Sequence, residues 1–366
     1  MFKNIRIANF RGIKEGTIED LARINILVGQ NNSGKSTVLE ALILARAPIR
    51  LVDKLGRHGI QDLLKRRVSD RAQLDFRELW YRLNTENKIE LGLEFADGNA
   101  TNTKITYSNW EYELEGRSRE GPLFKEIFHV RPIDDYVETI WGGGSTVNFH
   151  PTIIRELKQR FSFSEENAKA LGETMLIDAD YIHKMESVER SLWQDIKAQR
   201  KDIEIRQTLN ETYNLDIENL SFIPFVAGKF KLYTEMPNYS VPIDDLGEGF
   251  RYALAILSTM VMLEHTALLI EELEVHQHPE ALNRLLTAIF KVAKRNDIQL
   301  FITTQSLELI NYALEVSEKE NLEIKLYHLS LDKNGTLSTR GISAPDAKLL
   351  ADVGPDVRLL HKYVAA

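Results

Sequence analysis

The chain has 366 residues, 43% hydrophobic and 27% charged, with a formal net charge of −8. The apolar content supplies a real core for one large domain or two ordinary ones. The acidic balance argues against a surface that coats nucleic acid throughout, although a local basic patch is compatible with it. The absence of cysteine excludes disulfides and thiolate chemistry. No apolar run is long enough to span a membrane, and the start, Met1-Phe-Lys-Asn-Ile-Arg-Ile, is strand-like rather than a signal sequence. A soluble cytoplasmic protein is the expectation.

Residues 2–8 alternate Phe2, Ile5 and Ile7 against Lys3, Asn4 and Arg6, which predicts an edge strand ending at Asn9-Phe10-Arg11-Gly12. A second short strand is expected before Asp20. Residues 24–28 then read as a buried strand, Gly29-Gln-Asn31-Asn32-Ser33-Gly34-Lys35-Ser36-Thr37 as a glycine loop, and residues 38–45 as a helix. The loop fits G-x-x-x-x-G-K-[S/T], which a chain of this length matches by accident about once in a hundred tries. Its backbone N–H groups and the helix N-terminus suit phosphate oxygens. Lys35 is placed to reach the β- and γ-phosphates of a nucleotide such as ATP, and Ser36 to bind Mg²⁺.

Residues 46–71 carry eight Lys and Arg against three acids. The stretch reads either as a DNA-phosphate contact or as a solvated helical face, and the second reading is the simpler one. Residues 89–95 alternate, turn at Asp97-Gly98 and continue into residues 103–113. With a strand over residues 124–130, closed by Pro132, these predict a β-meander. Gly142-Gly-Gly144 reads as a break. From 150 to 214 glycine nearly vanishes, and Met185, Val188, Leu192, Ile196, Gln199 and Ile203 fall on one helical face. A helical insertion is expected there, before strands resume at 220–226 and 229–234.

Ile243-Asp-Asp-Leu246-Gly247-Glu248-Gly249-Phe250-Arg251 precedes an apolar helix. It reads either as an ordinary loop-to-helix turn or as a second anion nest. Thr266-Ala-Leu-Leu-Ile270-Glu271-Glu272 is an apolar strand ending in two carboxylates. Such a strand presents them at its C-terminal edge, beside the phosphates. Glu271 would orient Mg²⁺ or its water, and Glu272 would act as general base on the attacking water. Leu300-Phe-Ile-Thr-Thr-Gln305-Ser306 is a further strand whose polar end could sense the γ-phosphate. His276-Gln-His278 has the spacing of a zinc pair, but the resemblance below accounts for it otherwise.

In order, these motifs resemble the ABC-type ATPase heads of the SMC, RecF and OLD class, and most of all the compact stand-alone AAA-type ATPases without a Toprim domain. Phe10-Arg11-Gly12 resembles the N-terminal strand motif, residues 29–37 Walker A and residues 246–250 the signature. Residues 268–272 resemble Walker B, residues 274–279 the D-loop and residues 303–306 the switch. Gly354-Pro-Asp356-Val-Arg358 resembles a C-terminal Gly-x-Asp-x-Arg element. The resemblance implies an α/β head with a mixed central sheet and an N-terminal antiparallel β-subdomain over 1–149. It also implies a helical insertion lobe over 150–219 and a C-terminal half over 220–366.

It further implies two heads joined head-to-tail around two Mg-ATP, with Arg11 near the phosphates and Gly247, Glu248 and Gly249 closing on the partner's nucleotide. Three departures stand out: Gly247 replaces the usual signature Ser, Glu271 the usual Asp, and Gln305 the usual switch His. They imply slow turnover, with Lys35, Glu272 and Gln305 as the catalytic set. The resulting expectation is an ATP-driven dimeric switch in DNA maintenance or genome defence. The alternatives are a nucleotide-bound scaffold regulating a partner nuclease or toxin, and, less in keeping with the motifs, a transporter motor subunit.

Overall fold

The computed structural model describes residues 1–47, 49–50, 53, 59–66, 75–108, 111–133, 136–141, 145–146, 164–178, 185–224, 230–353 and 356–362. In chain order, β1 (Phe2–Phe10), β2 (Ile13–Ile18) and β3 (Ile24–Val28) precede α1 (Lys35–Arg46) and α2 (Gly59–Lys65). A run of strands follows: β4 (Ile89–Phe95), β5 (Ala100–Thr106), β6 (Glu111–Ser118), β7 (Gly121–Ile133), β8 (Tyr136–Trp141) and β9 (Ser145–Thr146). Next come α3 (Glu165–Gly172), β10 (Met175–Ile177), α4 (Met185–Ala198), α5 (Asp202–Tyr213), β11 (Asn219–Pro224), β12 (Phe230–Glu235) and β13 (Ser240–Pro242). The last part holds α6 (Glu248–Met260), β14 (Ala267–Glu271), α7 (Pro279–Arg295), β15 (Gln299–Thr303), α8 (Leu307–Glu320), β16 (Ile324–Leu331), β17 (Thr336–Ser343) and α9 (Ala344–Val353).

The main sheet runs β10-β14-β15-β3-β16-β17-β2-β1-β4-β5-β6-β7-β8-β9, and β11-β12-β13 form a small second sheet. The first five strands are parallel to one another. Parallel pairing needs long crossovers and cover on both faces. Here α7 connects β14 to β15 and α8 connects β15 to β16. β3 and β15 are accordingly buried along their whole length. Ile24, Ile26 and Val28 face one core with α6 and α7, while Leu27 faces the other with α1 and β1. α7 shows how such a helix is specified. Leu282, Leu285, Leu286, Ile289 and Phe290 recur at three- and four-residue spacing and are buried. Pro279 opens the helix and Lys294 and Arg295 close it, each at the end its chemistry favours.

The mixed sheet, the antiparallel meander and the loop strand β3 inside the parallel part of the sheet agree with the expected head. Several local expectations do not hold. β1 is not an edge strand; β2 and β4 flank it, with Phe2, Ile5, Ile7 and Phe10 buried and Arg6 exposed. The stretch 103–113 is divided between β5 and β6, and β7 continues through Pro132 to Ile133. The insertion is not purely helical. Met175–Ile177 joins the main sheet beside β14, and α3 packs its Ala168, Ala170 and Leu171 into the core that holds α1. The single helical face read across 185–203 belongs to two helices, broken after Ala198 by a turn with Arg200 at φ 58°. Residues 142–144 and part of 150–219 lie outside the described residues.

Candidate functional site

The site begins where β3 runs out at Val28. Gly29 has φ 146°, and a Cβ there would meet the Leu329 carbonyl oxygen at 2.4 Å and the Ser33 hydroxyl at 2.7 Å. Asn32 at φ 63° and Gly34 at φ 94° complete the left-handed path into α1, as a nest of backbone N–H groups requires. Lys35 lies back over the loop, its Nζ donating to the carbonyls of Gly29 (2.8 Å) and Gln30 (2.9 Å). Burial lowers the pKa of this ammonium, against the opposing pull of Glu272, Glu271 and Glu274. The loop opens on a cavity of about 590 Å³ lined by Gly12, residues 31–37, Glu272, Gln305 and Leu331. A neighbouring hollow of about 460 Å³ is lined by Gly29, Gln30, Asn31, Gln305, Asp356, Arg358 and Leu359.

Two other strand ends complete the cavity. β14 delivers Glu271, whose Oε1 accepts a hydrogen bond from the Ser36 hydroxyl. The serine proton is thus committed to the carboxylate, and its lone pairs remain for another ligand. This fits a divalent cation, with Ser36 as the direct oxygen donor and Glu271 behind it. Glu272 has φ 51°, an unusual backbone conformation for a glutamate. It is held there by N–H bonds to the Thr303 carbonyl (3.1 Å) and hydroxyl (3.2 Å). Such strain concentrates at functional positions. The pKa of the Glu272 carboxyl is raised by burial first and by Glu274 and Glu271 second, with Lys35 opposing. That direction suits a general base.

β15 lies between the loop strand and the acidic strand and brings Gln305 to the same cavity. The Gln305 amide donates to Asn31 Oδ1 at 2.8 Å, its N–H donates to Glu274 Oε1 at 3.1 Å, and its carbonyl accepts from Arg358 at 2.6 Å. Thr304 also donates to Glu274, at 2.6 Å. Arg358 is itself clamped by Asp356, so the C-terminal element touches Gln305, although Gly354 and Pro355 lie outside the described residues. Sequence reasoning assigned no role to Glu274 beyond the D-loop, nor to Tyr252, whose hydroxyl donates to the Glu271 carbonyl at 2.8 Å. For Tyr252 no local signal exists; it is one more apolar-face residue of α6.

Gly247, Glu248 and Gly249 start α6 and do not line the loop cavity. A Cβ on Gly249 would meet the His276 carbonyl oxygen at 2.4 Å, whereas Gly247 has open space around it. The Tyr213 hydroxyl lies 2.7 Å from the Gly249 carbonyl oxygen and 2.8 Å from Gln277 Oε1. His276 pairs with Glu248 at 3.1 Å, and no group of three or more His, Cys, Asp or Glu that could hold a metal occurs among the described residues.

Arg11 does not open on the cavity. Its Nε pairs with Glu40 of α1 at 2.7 Å and its Nη2 donates to the Leu63 carbonyl at 2.6 Å, so it buttresses the site from behind while Gly12 lines it. The basic stretch also turns inward where it is described. Arg46 is buried and donates to the Thr174 carbonyl, Arg50 lies 3.8 Å from Glu173, and Arg66 bridges three carboxylates. Lys54, Arg57, Arg67 and Arg71 lie outside the described residues. The inward turn of the arginines counts against a DNA-binding face there.

Residues 1–215 match the family model described as AAA ATPase domain. Residues 192–311 match a second model, an AAA domain named for the AbiEii toxin of a Type IV TA system. An ATP/GTP phosphatase of Helicobacter pylori is 22% identical over 351 residues, 91% of this chain and 93% of that protein. The DNA double-strand break repair Rad50 ATPase of Methanopyrus kandleri is 34% identical over 125 residues, 33% of this chain and 13% of that protein. Among solved structures, an SMC head bound to the C-terminal winged-helix domain of ScpA superposes with a TM-score of 0.53 at 11% identity, covering 95% of this chain and 99% of that one. That likeness is one of fold. The chain belongs to the AAA ATPase domain family, an ATPase built on the head fold of SMC proteins.

Proposed function

We propose that the chain binds ATP with Mg²⁺ in the loop cavity and hydrolyses it slowly, as one half of a head-to-tail homodimer that switches with nucleotide state. The observation that carries this reading is the sharing of one cavity by residues 31–37, Glu272 and Gln305, with residues 247–249 left outside it. The loop and Lys35 hold the phosphates. Glu272 takes the proton of the attacking water, and Gln305 orients that water through its amide. Mg²⁺ bound at Ser36 neutralises phosphate charge. The signature residues of a second copy complete the site, with backbone N–H groups in place of the hydroxyl that Gly247 lacks. A role in DNA maintenance or genome defence draws support from the likeness to a DNA double-strand break repair ATPase and to the AbiEii-named domain, and a cytoplasmic place is part of the same reading. No helix among the described residues is long and apolar enough to cross a membrane.

A second reading, a nucleotide-bound scaffold for a partner nuclease or toxin, is favoured by Gln305, whose amide is already engaged by Asn31. Phosphate release from ATP by the purified protein, compared with its Glu272→Gln variant, separates the two. Turnover lost in the variant supports the hydrolase. Background rates in both, with nucleotide still bound, support the scaffold.

A further inference from the structure

Arg66, just past α2, spans three carboxylates from three separate elements. Its Nη2 meets Glu271 Oε2 at the end of β14, its Nε lies 2.7 Å from Asp178 Oδ2 after β10, and its Nη1 lies 3.3 Å from Glu40 Oε1 in α1. The side chain is 14% exposed. Burial works against its charge and the three carboxylates outweigh that, so its pKa is raised. Arg11, bound to Glu40 and to the Leu63 carbonyl, fixes α2 and with it the position of Arg66. Glu271 is therefore held from both sides, by Ser36 on Oε1 and by Arg66 on Oε2. The reach of a glutamate, one methylene longer than an aspartate, spans this gap.

We propose that Arg66 is a resident counter-ion of the metal site: it neutralises Glu271 while nucleotide is absent and gives up Oε2 when the divalent ion arrives with ATP. This rests on Ser36 and Glu271 being the metal-side residues. The physical argument is one of charge. A free divalent ion approaching Ser36 finds a neutralised carboxylate and a nearby guanidinium that repels it. An ion carried by ATP brings its own phosphate ligands, which Lys35 and the loop hold. When the ion takes Glu271, Arg66 keeps Asp178 and Glu40, so no buried charge is stranded. Without Arg66, the carboxylates of Glu40, Asp178 and Glu271 lose the guanidinium they share, an arrangement that attracts hard cations.

Mn²⁺ uptake, followed by the electron paramagnetic resonance signal of the free ion, tests this in the full chain. The wild type takes up Mn²⁺ with ATP and little without it. Arg66→Gln binds Mn²⁺ without ATP at least about tenfold more tightly than wild type, since the guanidinium that neutralised Glu271 and repelled the ion is gone. Arg66→Lys, which keeps the charge, stays near wild type. Wild-type Mn²⁺ affinity in a folded Arg66→Gln variant overturns the proposal. Should that variant fail to fold, hydrogen exchange of residues 59–66 in the wild type decides. Faster exchange with ATP and Mn²⁺ than with ATP and EDTA supports displacement of Arg66, and equal exchange overturns it. A wild type that binds ATP and takes up no Mn²⁺ refutes instead the metal reading of Ser36 and Glu271.

Discussion

Glu272 can act as a base only in its ionised form, and its surroundings make ionisation harder. Burial and the neighbouring Glu274 and Glu271 raise its pKa, so activity should fall on the acid side at a pH above the ordinary carboxylate range. A general base at this position, as proposed, is active above this pKa and is protonated and idle below it. Glu274→Gln removes one of the two like charges, and the acid limb of the kcat profile should move to lower pH; an unmoved limb would assign it to another group. Glu272→Gln should reduce kcat by roughly 10²–10⁴ and leave ATP affinity intact, read by phosphate release and by fluorescent-nucleotide titration. Lys35→Ala should weaken ATP binding by about 10- to 100-fold, the worth of a hydrogen bond to a charged group, in the same titration. That Lys35, Ser36 and Glu272 line one cavity was legible because each sits at a fixed offset within a short motif. Arg66 was not: its three acids lie 26, 112 and 205 residues away in sequence, and only folding brings them to one guanidinium.

At the level of elements, the two glycines at the start of α6 have different constraints. Gly249 packs against the His276 backbone, so Gly249→Ala should cost about 1–3 kcal/mol through overpacking. Gly247 caps α6 in open space. Gly247→Ser should leave stability unchanged or raise it by roughly a few tenths of a kcal/mol, because serine is a better N-cap. Urea midpoints compare the two. The strand–loop–helix unit of β3 and α1 was readable from sequence because its pattern is contiguous. β10 was not: three apolar residues carry no periodicity, and strand and buried helix look alike at that length. The interior place of β1 was missed for a related reason. Its alternation was taken to mean an edge, whereas alternation reports what lies above and below a strand and says nothing about its neighbours in the sheet.

At the scale of the whole molecule, residues 247–249 stand apart from the cavity they are expected to serve, which a second copy would resolve. With ATP and Mg²⁺, Glu272→Gln should shift from the 42.0 kDa monomer towards twice that mass, and Lys35→Ala should not; light scattering measures both. A Glu272→Gln protein that binds ATP and stays monomeric would sink the head-to-tail reading. The glycine loop between strand and helix, the strand that runs into two carboxylates, and the family were all readable from sequence alone. These are encoded locally, by residues whose chemistry requires a set spacing along the chain. The tertiary structure alone decided that Arg11 and the described arginines of the basic stretch turn inward, that the insertion contributes a strand, and that Arg66 balances Glu271. Charge in a sequence has no direction, and which way it points is fixed by the burial and pairing that distant elements provide.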